Sequence, residues 1–197
     1  MHKSKTLHEL KEHIPFTLIA TIIAIILVFL FQKILSFTIP EEFFHYSHFL
    51  HIFASSIVTA GIFYKYKKNI WSSILIGIFG SILIGTISDV FFPFLGGNFL
   101  NLNTTFHLPL IEKPIQVLTF SLAGCLVGIK FQKTKFPHLI HVFLSVFASL
   151  FYITSFSNSL NTLNFIFSII IVFIAVIIPC CVSDILIPTV SRRKPKT

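Results

Sequence analysis

The sequence predicts an all-α integral membrane protein with six transmembrane helices, arranged as an inverted-topology 3+3 repeat. Three observations carry that expectation: long runs without a charged residue, basic residues concentrated in alternate connections, and a set of polar motifs that occurs twice in the same order. Composition sets the frame. The chain of 197 residues is 54% hydrophobic and 11% charged, with 25 Phe and a mean hydropathy of +0.88. An ordinary soluble domain carries roughly 25% charged residues, and so few charges cannot cover a water-soluble surface of this size. A soluble enzyme, a disordered tail and a secreted disulfide scaffold are thereby excluded. Cys125, Cys180 and Cys181 all lie in apolar runs and read as buried thiols, not as a disulfide framework.

Residues 1–13 read as a cytoplasmic tail. From Ile14 to Gln32 no Asp, Glu, Lys or Arg occurs. That run exceeds a signal-peptide core and no small-residue cleavage pattern follows, so it is a retained first span opened by Pro15. The second span runs from Phe43 to Tyr64 and stops at Lys65, Lys67 and Lys68. Asn69 to Ile111 holds one charge, Asp89, and is too long for a single crossing. Pro93, Gly96, Gly97 and Asn98 supply the expected break, giving a third helix over about 70–94 and a first repeat over 14–95. Residues 96–113 form an external loop that is too apolar to be free and is expected to be re-entrant or interfacial. Pro114 to Gly128 makes a short fourth helix, ended by Lys130, Lys133 and Lys135. Pro137 to Pro188 holds one charge, Asp184, and divides near Ser157–Asn161 into helices five and six, with Pro179 expected to kink the sixth. The second repeat is thus 114–188, followed by a basic cytoplasmic tail, 189–197.

With the N-terminus in the cytoplasm, thirteen of the fifteen basic residues fall on the inner side; Lys33 and Lys113 are the exceptions. This is the positive-inside pattern, and it predicts a multi-pass protein of the cell (inner) membrane with both termini cytoplasmic. The net charge of +8 is then a topology signal, with anionic lipid as its partner, and nucleic-acid binding is not needed to explain it.

The repeat rests on particular residues. His48, His51, Phe53, Ser55 and Thr59 share the pattern H-x-x-H-x-F-x-S-x-x-x-[ST] with His138, His141, Phe143, Ser145 and Ser149, ninety positions on. Ser88-Asp89 followed by Pro93 matches Ser183-Asp184 followed by Pro188, ninety-five positions on. Glu12, Pro15 and Phe31-Gln32-Lys33 have weaker counterparts in Glu112, Pro114 and Phe131-Gln132-Lys133. Three helices per copy is an odd number, so the second copy enters the membrane upside down, the plan of many transporters. His48, His51 and Asp89 then belong to the outer leaflet, and His138, His141 and Asp184 to the inner.

His48, His51, Ser55 and Thr59 are spaced three, four and four residues apart, one helix face, and His141, Ser145 and Ser149 repeat it. Such a polar stripe on an apolar helix should face the bundle interior. Asp89 and Asp184 each precede a proline by about one turn. A central intramembrane Asp costs roughly 2.5–3.5 kcal/mol on insertion scales, so two of them imply partners and a role. By ligand type, His51, Asp89, His141 and Asp184 suit a divalent metal ion as substrate, and the same groups suit a proton relay. The plainer reading is that each His pins its Asp and the sets are helix struts. His45 and His107 read as interfacial or loop residues.

No nucleophile elbow, phosphate loop or H-E-x-x-H motif is present. Matching polar sets on both membrane sides favour transport over catalysis. The expected function is a small secondary transporter or channel for a divalent metal cation or protons, using His48, His51, Ser55, Asp89, His138, His141, Ser145 and Asp184. The alternatives are transport of a small anionic or lipid-linked solute, and a membrane-integral enzyme acting on lipid. A homodimer is compatible with so narrow a bundle. The 3+3 plan resembles, in architecture only, several groups of small exporters and channels.

Overall fold

The computed structural model describes the backbone of residues 15, 18–30, 39–132, 135–157 and 162–192, and the side chains of 15, 18–30, 39–132, 140–157 and 163–179. The 1–13 tail, the ends of the first span, the 158–161 connection and the 193–197 end of the basic tail lie outside the described residues, as do the side chains of His138, Cys180, Cys181 and Asp184.

Every regular element among these residues is helical. In chain order they are α1 (Leu18–Phe29), α2 (Glu41–Lys67), α3 (Ile70–Thr86), a π-helical turn (Ile87–Phe91), α4 (Phe92–Phe99), a single turn α5 (Pro109–Glu112), α6 (Pro114–Phe131), α7 (Lys135–Phe156) and α8 (Thr162–Arg192). Among the described residues, three segments are long and apolar enough to cross a membrane: Glu41–Lys67, Ile70–Phe99 and Pro114–Phe131. Leu18–Phe29, Ile140–Phe156 and Leu163–Pro179 are shorter apolar helices within the described residues.

The ends of the long helices follow from local chemistry. Pro40 precedes α2 with an extended backbone, and Glu41 and Glu42 complement the positive end of the helix dipole. Lys65 and Lys67 sit in its last turn, and Lys68 closes it in the left-handed conformation (φ 53°), its N–H donating to the Tyr64 carbonyl at 2.9 Å. Asn69 then caps α3, its Oδ1 accepting from the Ser72 N–H at 2.9 Å. Pro114 opens α6, and Gln132 ends it as Lys68 ends α2, with φ 51° and a bond to the Gly128 carbonyl.

The third helix departs from expectation. Pro93 and Gly96-Gly97 do not break it; the chain stays helical to Phe99 and turns only at Leu100 and Asn101. The reason lies one turn earlier. At the π-helical turn the Phe92 N–H donates to the Ile87 carbonyl, five residues back. This widened turn lets the helix pass the proline. Its consequence falls on Ser88, whose carbonyl would next be served by residue 93, which has no N–H. α8 likewise continues through Pro179 and Pro188.

α2 is the central helix, buried on nearly all sides and packed against α3, α6, α7 and α8. Small residues permit that crowding. A Cβ on Gly128 would meet the backbone of Ile57, and one on Gly124 would meet the Phe53 carbonyl and Ser56, so α6 lies almost backbone to backbone on α2. Where the three helices meet, Ser56, Ser81 and Ser121 are fully buried, with their hydroxyls 2.7–3.1 Å apart. The other side of the bundle is apolar: Ala24, Ile25 and Val28 of α1 join Val142, Val146, Leu150 and Ile153 of α7 and Val172 and Val176 of α8. Outward faces are apolar too. Trp71, Leu75, Phe79 and Leu83 run exposed down α3 at four-residue spacing, as do Leu118, Leu122 and Leu126 on α6. A continuous apolar exterior of this kind suits lipid and not water.

Candidate functional site

Asp89 sits in the π-helical turn with no exposed surface. Four groups converge on its carboxylate. Nδ1 of His48 and Nδ1 of His51 lie 2.9 and 2.6 Å from Oδ2. Oδ1 accepts from Ser88 Oγ at 2.7 Å and from Ser145 Oγ at 2.8 Å. With Asp89 ionised both imidazoles donate, and every acceptor position facing the protein is used. Hydrogen bonds to a charged group contribute about 1.5–3 kcal/mol each. Four of them together exceed the roughly 2.5–3.5 kcal/mol that a central intramembrane Asp costs, so the buried charge is sustained by its own shell.

Each donor is placed by its helix. His48 and His51 are one turn apart on α2 and point the same way. Ser88 is on the widened turn itself. Ser145 arrives from α7, and one turn further Ser149 Oγ donates to the Ser88 carbonyl at 3.0 Å, supplying the bond that Pro93 withholds. Ser149 also lies 2.7 Å from the Ser145 carbonyl, so the α7 stripe touches the π turn at two successive turns. Ser55 is buried one turn beyond His51 but is not among the groups on Asp89.

The ring of His51 faces that of His141 on α7, centroids 5.8 Å apart and planes 9° from parallel. His51 Nε2 is buried without a hydrogen-bond partner among the described residues. Its Nδ1 is committed to Asp89, so Nε2 is the nitrogen left to exchange a proton or bind a cation. Among the described residues no group of three or more His, Cys, Asp or Glu side chains is placed to hold a metal ion. Of the expected set, His51 binds Asp89 and stacks on His141, whereas the Asp184 and His138 side chains lie outside the described residues.

Aromatic side chains close the site on the side of the 100–108 connection. Phe44 stacks on His48 at 5.6 Å and meets Tyr152 and Phe156 edge-on at 5.1 and 5.4 Å. The connection itself is not free. Leu102 is fully buried, the Thr105 N–H donates to the Phe156 carbonyl, and Tyr152 Oη donates to the Thr105 carbonyl while accepting from the His107 N–H. His107 is a loop residue as expected, stacked on Phe156 and 3.1 Å from Glu112. His45, read as interfacial or loop, is in no loop: it is buried in the second turn of α2, beside Phe44 and Phe49.

Asp89, His48, His51 and Ser145, singled out in the sequence, come together here, whereas two other features were not foreseen. One is the π-helical turn, whose only trace in the sequence is a proline four residues after the Asp. The other is the Ser56–Ser81–Ser121 contact, foreshadowed by Ser73, Gly77, Ser81 and Gly85 at four-residue spacing. Compared with protein-family models, with curated proteins and with solved structures, the chain matches none.

Proposed function

We propose that the chain is a small multi-pass membrane transporter or channel in which the Asp89 cluster carries protons, alone or in exchange for a cargo cation. The observation that carries this reading is the shell of Asp89. One buried carboxylate joins two imidazoles of α2 to a hydroxyl of α7, at the seam between the two halves of the chain. Between protons and a divalent metal, the geometry favours protons. Both carboxylate oxygens are already filled by protein donors, which a metal would have to displace, whereas a proton passes between Asp89 and Nδ1 with no atom moved beyond hydrogen-bond range.

Six crossings, with the second three inverted, make the frame for this proposal. Three features support it. The aligned residues His51 and His141 face each other, as residues near a pseudo-twofold axis do. α1 shares an apolar core with α7, and α6 packs on α2. The connections also sort by end: Lys68 reaches Gln132 at one, while Ser155 meets Pro40 and Tyr152 meets Thr105 at the other. Lys65, Lys67, Lys68 and Lys130 share the first end, which is the cytoplasmic one under the positive-inside rule.

The test uses purified protein in liposomes holding a pH-sensitive dye, with a potassium diffusion potential as driving force. Acidification of the lumen without added metal supports the proposal. Uptake of Mn²⁺ or Zn²⁺ with no proton movement would replace it with the metal reading.

A further inference from the structure

We infer that His45 is the outer proton acceptor of the Asp89 cluster, which defines the route by which protons reach it; this rests on the proton-carrying reading above. The cluster is closed off by Phe44, Tyr152 and Phe156, so protons need a titratable group beside that plug. His45 follows Phe44 on α2, with its ring 5.2 Å from that of Phe44. It lies three residues before His48 and six before His51, which makes a ladder of imidazoles along α2 with steps of about 4.5 Å along the axis. It is 6% exposed, and its Nδ1 is buried with no hydrogen-bond partner among the described residues.

Its electrostatic neighbours come from two elements: Glu42 and His48 on α2, and Glu112 and Lys113 at the junction of α5 with α6. Glu112 in turn lies 3.1 Å from His107 of the 100–108 connection. Neighbouring side chains at this helical spacing are within reach through one bridging water. Each step adds a proton at one ring nitrogen and releases one from the other. Charge and atoms balance with no co-reactant. The aligned position in the second half is Lys135, so the external acceptor has no imidazole counterpart there.

The experiment measures proton flux in the liposome assay at low buffer concentration for the wild type, Asp89→Asn, His45→Gln and His45→Glu. For a shuttle that limits transfer, His45→Gln should lower flux about tenfold or more. Membrane-impermeant histidine buffer on both sides should restore it to within about twofold of the wild type, as exogenous imidazole replaces the missing group. His45→Glu keeps a titratable group at this position and should retain flux, which keeps the test open should His45→Gln fail to fold. Wild-type flux in His45→Gln, a deficit that histidine buffer leaves unchanged, or identical behaviour of the Gln and Glu variants would each overturn the inference. If Asp89→Asn abolishes flux while His45→Gln does not, the role of His45 alone fails. If the wild type moves no protons, the parent reading fails with it.

Discussion

Asp89 tolerates burial because two helices and its own turn each bring it hydrogen-bond donors, and the contributions separate by residue. Ser145→Ala removes one donor from a charged acceptor and should cost about 1.5–3 kcal/mol, read as a lower unfolding midpoint in detergent. Ser55→Ala, on the same α2 stripe but off the carboxylate, should cost clearly less. Equal losses would mean that the stripe acts by packing and not through Asp89. The residue types and their helical spacing were legible in the sequence, because His48, His51 and Ser55 can share a face in only one way. The division of labour on the carboxylate was not. Spacing along α2 does not say that the fourth donor comes from α7, nor that Ser55 is left out.

At the scale of the element, the π-helical turn converts a proline from a break into a connection. Pro93 was expected to end the third helix, since a proline reports a missing N–H and not the register that absorbs it. Here the widened turn leaves the Ser88 carbonyl to Ser149, and α3 is tied to α7 at that point. Ser149→Ala should therefore cost about 1 kcal/mol in the wild type and measurably less in Pro93→Ala, where residue 93 brings its own N–H. Additive effects in that double-mutant cycle would reject the link between proline and serine. The seam of α2 with α6 makes a second prediction. Gly128→Ala pushes a Cβ to 2.9 Å from the Ile57 Cα and should destabilise by about 1–3 kcal/mol. Gly80→Ala, whose Cβ meets only the Thr59 methyl at 3.3 Å, should stay within about 1 kcal/mol of the wild type.

For the whole molecule, helical class, membrane character and the positions of most helices were readable from charge-free runs between lysine clusters. The 96–113 connection was not. Its first four residues complete a helix, and Leu102 plugs the apolar core of α1, α7 and α8, a long-range contact without local periodicity. Topology reporters test the proposed frame: fusions after Lys68 and Lys135 should report cytoplasmic, and a fusion near Asn103 external. An external signal at Lys68 would remove the inversion.

The claim that joins these scales is that Asp89 works by its charge and not as a strut. It is tested most directly by proton flux per folded molecule in liposomes containing Asp89→Asn. The amide preserves shape and one carbonyl acceptor but cannot take up a proton at neutral pH. Flux should vanish while the protein still inserts and elutes as a folded species. Flux near the wild-type level in that variant would contradict the account and leave His48, His51, Ser145 and Asp89 as helix glue.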